Sequence, residues 1–293
     1  KPVLRVTGIE LSGMPRINQF EGKSGKVWRI GEITSKNQIP ENLCIPESKI
    51  INITDKFDGN LLHWSIPEGN WLILRIGHTS TGKTNATGGG AKGLECDKFN
   101  PYSIRIQLDS WFGRIYDTLL KYNLIEPLKI LHIDSWECGS QNWSENFPFE
   151  FINRRGYDLI PVLPVIAGIP INNVDFSEKI LFDLRKTISE LIRDVFFYEV
   201  KNYANQHNCL LSAESVSPVM VVDNLSYYKN VDIPMGEFWL DSPTHDKPTD
   251  VLDAINASNI FGKKIVGAES FTQLRINWRE HPAILKQIAD FYM

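Results

Sequence analysis

The chain of 293 residues lacks several things, and each lack closes off a class of function. Its four cysteines, Cys44, Cys96, Cys138 and Cys209, include no CxxC pair, so a structural zinc site has no ligand spacing to build on. Cysteines scattered singly along a chain of this length read as free, buried thiols, and they do not settle the redox compartment. No apolar run reaches the ~20 residues that a membrane-crossing helix needs. The net charge of −4 leaves no broad basic surface for nucleic acid. There is no GxSxG elbow or Cys–His arrangement for acyl transfer, and His63, His207, His245 and His281 show no metal-ligand spacing. No internal repeat is present, and the only low-complexity tract is one glycine-rich loop.

What is present is a globular composition, with 42% hydrophobic and 23% charged residues. Eight tryptophans suit a carbohydrate surface, although an indole is first of all core material. No signal peptide is recognisable. The chain opens on Lys1 rather than Met, and it stops at Met293 directly after the helical pattern ILKQIADFYM. It is expected to be a piece of a longer protein.

Two regions differ in texture. Residues 1–75 carry β-branched and aromatic runs (VLRVTGIEL, VWRIGEI, KIINITDKF, NWLILRIG) between Gly, Pro and Asn clusters, which predicts a β-rich accessory segment. Residues 76–293 open with the loop HTSTGKTNATGGGAKGLECDKF, where dense glycine lets the backbone approach a ligand closely. Helical and strand patterns then alternate. SIRIQLDSWFGRIYDTLLKYN predicts a helix and LKILHIDS a strand. A long helix follows through Ile180, Leu181, Leu184, Ile188, Leu191, Ile192 and Val195. CLLSAES, NVDIPMGEF and KKIVGAES predict three more strands, with a helix ending near Gly262 between the last two. Such alternation predicts an α/β fold, a parallel sheet with helices outside. The acids at strand ends favour a (β/α)8 TIM-type barrel, incomplete at the C-terminus, because residues just past barrel strands converge on one mouth.

Four glutamates occupy those strand ends: Glu137, Glu214, Glu237 and Glu269. Paired carboxylates at such a mouth, with Trp136 and Trp239 beside them, are what acid/base cleavage of a glycosidic bond needs. His132-Ile-Asp134-Ser-Trp136-Glu137 sets three polar groups and an indole at one rim, so Asp134 and Trp136 are candidate substrate contacts. In MGEFW, Gly236 permits a sharp turn that aims Glu237 at the mouth beside Trp239. Glu214 reads equally as a sugar ligand or as a structural acid paired with Lys or Arg. His78 reads equally as a ligand and as a loop histidine. His132, inside an apolar strand, reads as a core residue. The sequons at Asn52, Asn85, Asn142 and Asn224 read as chance.

Gly77–Thr84 matches the phosphate-loop pattern GxxxxGK(S/T). That pattern requires a helix starting at Lys83, whose amides hold the phosphate, and NATGGGAKG cannot sustain one. Three functions are thus weighed: a glycosidase, a non-catalytic carbohydrate-binding module and, least favoured, a P-loop nucleotide hydrolase.

In order from about residue 69 to the end, GNWLILRIGHTSTGK, GLECDK, HIDSWECGSQNW, RRGYDLIPVLPV, DIPMGEFW and IVGAESFT resemble the α-L-rhamnosidases of glycoside hydrolase family 106. The resemblance implies a secreted or periplasmic bacterial enzyme with a barrel catalytic domain flanked by β-domains. It implies inversion at the anomeric carbon, calcium as cofactor, and a rhamnose-containing glycoside or polysaccharide as substrate. It implies that Glu137 and Glu269 are the catalytic pair and Glu237 a substrate or metal ligand; Glu137 is read as general acid and Glu269 as general base, with the reverse order left open. The chain departs from the family at Glu214-Ser-Val-Ser, where relatives carry residues like Glu-Pro-Tyr-Gly. Further strands with aromatic and histidine contacts are expected beyond Met293.

Overall fold

The computed structural model describes residues 13–26, 39–84, 92–136, 139–214, 222–240, 249–273 and 278–292. Its centre is a curled sheet of four parallel strands in the order β1-β2-β3-β4: β1 (Ile130–Ile133), β2 (Leu210–Ala213), β3 (Ile233–Trp239) and β4 (Gly267–Thr272). Spatial order follows chain order throughout. A barrel winds in that way, whereas an open doubly wound sheet reverses direction at a switch point. The sheet is a curled half-barrel, consistent with an incomplete barrel.

Helices fill every crossover. Before β1 run α1 (Phe20–Lys23), α2 (Pro101–Leu108) and α3 (Arg114–Lys121). Between β1 and β2 lie α4 (Phe147–Arg155), α5 (Val174–Leu191) and α6 (Tyr198–Gln206). Then come α7 (Asn224–Tyr228), α8 (Asp250–Phe261) and, after β4, α9 (Pro282–Tyr292). The predicted long helix is α5 and α6, joined by a π turn over Ile192–Phe197. Asn173 starts it by accepting the Phe176 amide at 2.8 Å, which satisfies one otherwise unpaired N–H of the first turn. The wider π turn sets Phe196 and Phe197 both into the core, where Phe197 stacks on Tyr227 at 4.4 Å. Gly262 closes α8 at φ 64°, the left-handed turn that favours glycine.

The core lies between the outer face of the sheet and the helices. Leu131, Leu211, Ala213 and Phe238 point outward along alternate strand positions; the first three are buried in one cluster with α5 and α6, and Phe238 stacks on Tyr292 of α9 at 4.7 Å. Gly236 shares that face. A Cβ at this position would stand 2.6 Å from the Val251 backbone, so its missing side chain lets α8 lie directly on β3.

The β-rich reading of residues 1–75 is corrected over its described part. Residues 39–75 hold three 3-10 turns, Glu41–Leu43, Glu47–Lys49 and Thr54–Lys56, and only isolated bridges such as Phe57 with Leu62. NWLILRIG forms no named strand and exposes Leu72, Ile73 and Ile76. Strand propensity becomes a strand only beside a partner, and none flanks this run among the described residues. VLRVTGIEL and VWRIGEI lie outside the described residues. Residues 16–24 strap onto the helical layer instead: the Ile17 amide donates to the Gly168 carbonyl at 2.8 Å, and buried Lys23 pairs with Glu178.

Thr84 bridges Leu94, and the Glu95 amide donates to the Lys83 carbonyl at 3.0 Å. Lys83 and Thr84 are not helical, so among the described residues the phosphate-loop match has no anion-binding helix terminus. Cys44 and Cys209 are free thiols, both buried as expected. Among the described residues, no helix is long and apolar enough to cross a membrane.

Candidate active site

Parallel register carries one face of the sheet from strand to strand. His132 stands opposite Ser212, Ser212 opposite Ile233, and, two residue pairs further along β3, Glu237 stands opposite Glu269. Residues two apart on a strand share a face. His132, Glu237, Trp239 and Glu269 therefore face the concave side together, and Asp134 and Glu214 continue it one residue past β1 and β2. Three of the four sequence-predicted acids fall on this face. The fourth, Glu137, lies outside the described residues.

His132 corrects its reading as a core histidine. Its side chain is 41% exposed, Nδ1 lies 2.8 Å from Ser212 Oγ, and Nε2 lies 4.0 Å from Glu214 Oε1. A hydrogen bond at one ring nitrogen fixes the ring and aims the other at the carboxylate. One signal was available: in KILHID, His132 shares the two-residue period of Asp134 rather than that of Leu131 and Ile133. With Asp134, these residues form a group whose candidate ligand atoms all lie within 4.8 Å of one another.

Glu214 is buried, and its amide donates to the Ile133 carbonyl at 3.0 Å, which ties the end of β2 to β1. Glu237 is buried as well. Its amide donates to Asp250 Oδ2 at 3.0 Å, and its Oε1 accepts the Trp239 indole N–H at 2.5 Å. Trp239 thus positions a carboxylate besides offering an aromatic surface. Asp250, at the start of α8, was invisible to sequence reasoning, because nothing in local pattern links it to a strand-end amide. Beneath β3, Tyr228 donates to the Met235 carbonyl at 2.5 Å. Burial pushes that phenol well above its ordinary range, so it stays a neutral donor.

Glu269 is half-buried and accepts the Thr272 hydroxyl at 2.7 Å. Just beyond it the ladder shifts register: Phe238 pairs with Ser270 and Trp239 with Thr272, leaving Phe271 as the extra residue at φ 64°. A bulge of this kind bends the strand and re-aims its neighbours. Here it turns Phe271 onto Phe238, and it folds Thr272 back to Glu269.

The remaining predicted contacts lie beyond the end of β1. Trp136 is only 6% exposed, packs edge-on against Phe196 and donates to the Gly139 carbonyl at 3.1 Å. It lines one edge of a cleft of about 310 Å³. His78 is exposed and also lines the cleft, 6.4 Å from the Trp143 ring.

A sequence model of the family described as alpha-L-rhamnosidase, glycoside hydrolase family 106, matches residues 2–293. The chain is 34% identical over 276 residues to a Formosa agariphila protein named "Putative beta-glucuronidase", an alignment covering 92% of this chain and 23% of that protein. Its fold is similar to the structure of a rhamnosidase from Novosphingobium sp. PP1Y, with a TM-score of 0.72 at 23% identity, covering 93% of this chain and 27% of the other. The chain spans about a quarter of the length of these proteins. With a family match over nearly its whole length and strand-end carboxylates gathered on one concave face, the chain belongs to glycoside hydrolase family 106.

Proposed function

We propose that the intact protein removes α-L-rhamnosyl residues from glycosides or polysaccharides by an inverting mechanism on a complete (β/α)8 barrel. The observation that carries this reading is the shared face of Asp134, Glu214, Glu237 and Glu269 in a chain of this family. Glu137 serves as general acid and protonates the leaving oxygen. Glu269 serves as general base on a water at the opposite face of the sugar. Inversion needs the two carboxyls roughly 6.5–9.5 Å apart, with that water between them. The Thr272 hydroxyl fixes the rotamer of Glu269 and leaves its second oxygen for the water. Trp239 meets the methyl edge of the 6-deoxy sugar, and the indole bond holds buried Glu237 toward a sugar hydroxyl.

Calcium is part of the proposal, and the donor chemistry fits it. Asp134 and Glu214 offer carboxylate oxygens within one 4.8 Å group, and calcium takes oxygen ligands. His132 offers nitrogen and is left to orient Glu214. Glu237 is a further candidate ligand. When bound, the cation would polarise and clamp sugar hydroxyls. Secretion or export to the periplasm suits an enzyme acting on extracellular glycans.

The test is direct. In the intact protein, Glu137→Gln and Glu269→Gln should each cut rhamnoside turnover about 100- to 10,000-fold, the range of general acid/base catalysis. Near-wild-type turnover of an unactivated rhamnoside by either variant refutes its assignment. A β-glucuronidase activity is the second reading, favoured by the name of the Formosa agariphila relative. Parallel assays on nitrophenyl α-L-rhamnoside and nitrophenyl β-D-glucuronide separate the two.

A further inference from the structure

The cleft beyond β1 is built differently from the concave face. One wall is the half-buried Trp143 ring, packed on Phe147 at 5.1 Å and flanked by His78. Thr79, Ser80 and Thr81 also line the cleft. Its floor is a hydrogen-bonded lattice. The Lys98 amide donates to Gln141 Oε1 at 3.1 Å, and Gln141 Nε2 donates to Asp97 Oδ1 at 2.5 Å. At about 310 Å³ the cleft is at the small end of ligand sites, suited to a single ring.

Its charge is lopsided. Among the described residues, Glu95, Asp97 and Glu145 line it against one ammonium, Lys98. That ammonium is buried, 2.7 Å from Glu95 Oε2 and 4.8 Å above the Trp136 ring. Asp97 and Glu145 remain in excess. The Lys83 stem crosses Gly139 at the rim, and adding its charge still leaves more carboxylates than ammonium groups. An anionic ring here would face like charge in a partly desolvated site, which disfavours it more than water would. A neutral ring would lay its C–H face on Trp143 and its hydroxyls against the loop and Gln141.

We infer that this cleft is a subsite for an uncharged pyranose ring, and that its carboxylate excess excludes uronates. The inference rests on the glycosidase reading and deepens it. Trp136, which lines the cleft, directly precedes Glu137 in the chain, so the subsite adjoins the strand end that carries the proposed acid.

The protein is titrated by calorimetry with methyl α-L-rhamnopyranoside and with sodium D-glucuronate at matched ionic strength. The rhamnoside should bind at least tenfold tighter. Glu145→Lys, at an exposed position, should shrink that preference about tenfold with the fold retained. Trp143→Phe should keep rhamnoside binding and Trp143→Ala should lose it, with circular dichroism confirming that both fold. Glucuronate binding as tightly as the rhamnoside, an unchanged preference in Glu145→Lys, or no saturable binding of either sugar overturns the inference. Rhamnoside hydrolysis by the wild type is scored separately. Hydrolysis without charge-ordered binding sinks the subsite alone, whereas charge-ordered binding without hydrolysis sinks the glycosidase reading alone.

Discussion

Glu237 and Glu269 stand opposite each other on β3 and β4, one strand spacing apart on the same face. Their neighbours treat them differently. Glu237 is buried and bonded to the Trp239 indole, while half-buried Glu269 is bonded to the hydroxyl of Thr272. Two carboxylates this close hold separate roles only through separate environments.

Trp239→Phe keeps the aromatic surface and deletes the N–H that holds Glu237. A hydrogen bond to a charged group contributes about 1.5–3 kcal/mol. The variant should lose about tenfold or more in kcat/KM on a rhamnoside while its urea midpoint shifts little. Unchanged kinetics would show that the indole bond does not position Glu237.

Gly236→Ala places a methyl group 2.6 Å from the Val251 backbone, where no flexible side chain can yield. Overpacking of this kind costs about 1–3 kcal/mol. Urea denaturation should show that loss, and Gly13→Ala, where a Cβ meets nothing within 4 Å, should show almost none.

Asp134→Asn removes one anionic ligand from the group that reaches toward Glu214. Calcium affinity, measured by calorimetry on the chelator-treated protein, should fall at least tenfold. His132→Ala should change it far less, because calcium prefers oxygen. Equal losses in the two variants would place the cation elsewhere or make the histidine a ligand.

Asp194 gives a pH signature remote from the site. Burial raises its pKa, but hydrogen bonds and charge from Arg193 and Arg154 outweigh that and hold it below the ordinary aspartate value of 3.8. A depressed carboxylate stabilises the fold above its unfolded pKa and loses that contribution as pH falls through the folded value. Asp194→Asn should therefore lower the urea midpoint most at pH 6, with the gap to wild type closing below about pH 3.8. A gap that widens on acidification would contradict the assignment.

Much of the scaffold was legible locally. β1 and β2, which stop one residue before Asp134 and Glu214, stand where the apolar runs predicted them, whereas β4 begins only after the run KKIV and carries Glu269 inside it; α5 and α8 follow apolar spacing and end-cap chemistry. Those signals live within a few residues of backbone. NWLILRIG misled for the same reason: its propensity is real, but a strand needs a neighbour, and a single run does not specify one.

Local pattern determined that this chain builds parallel strands with helices between them and sets acids at the strand ends. Which acids meet was decided only in three dimensions. Register across β1 to β4 placed His132 beside Ser212 and Glu237 beside Glu269, a close helix brought Asp250 to the Glu237 amide, and loops far apart in sequence joined His78 to Trp143. The physical reason is range: propensity and capping act within a turn or a strand, whereas a site is assembled from side chains that meet only after the sheet has curled.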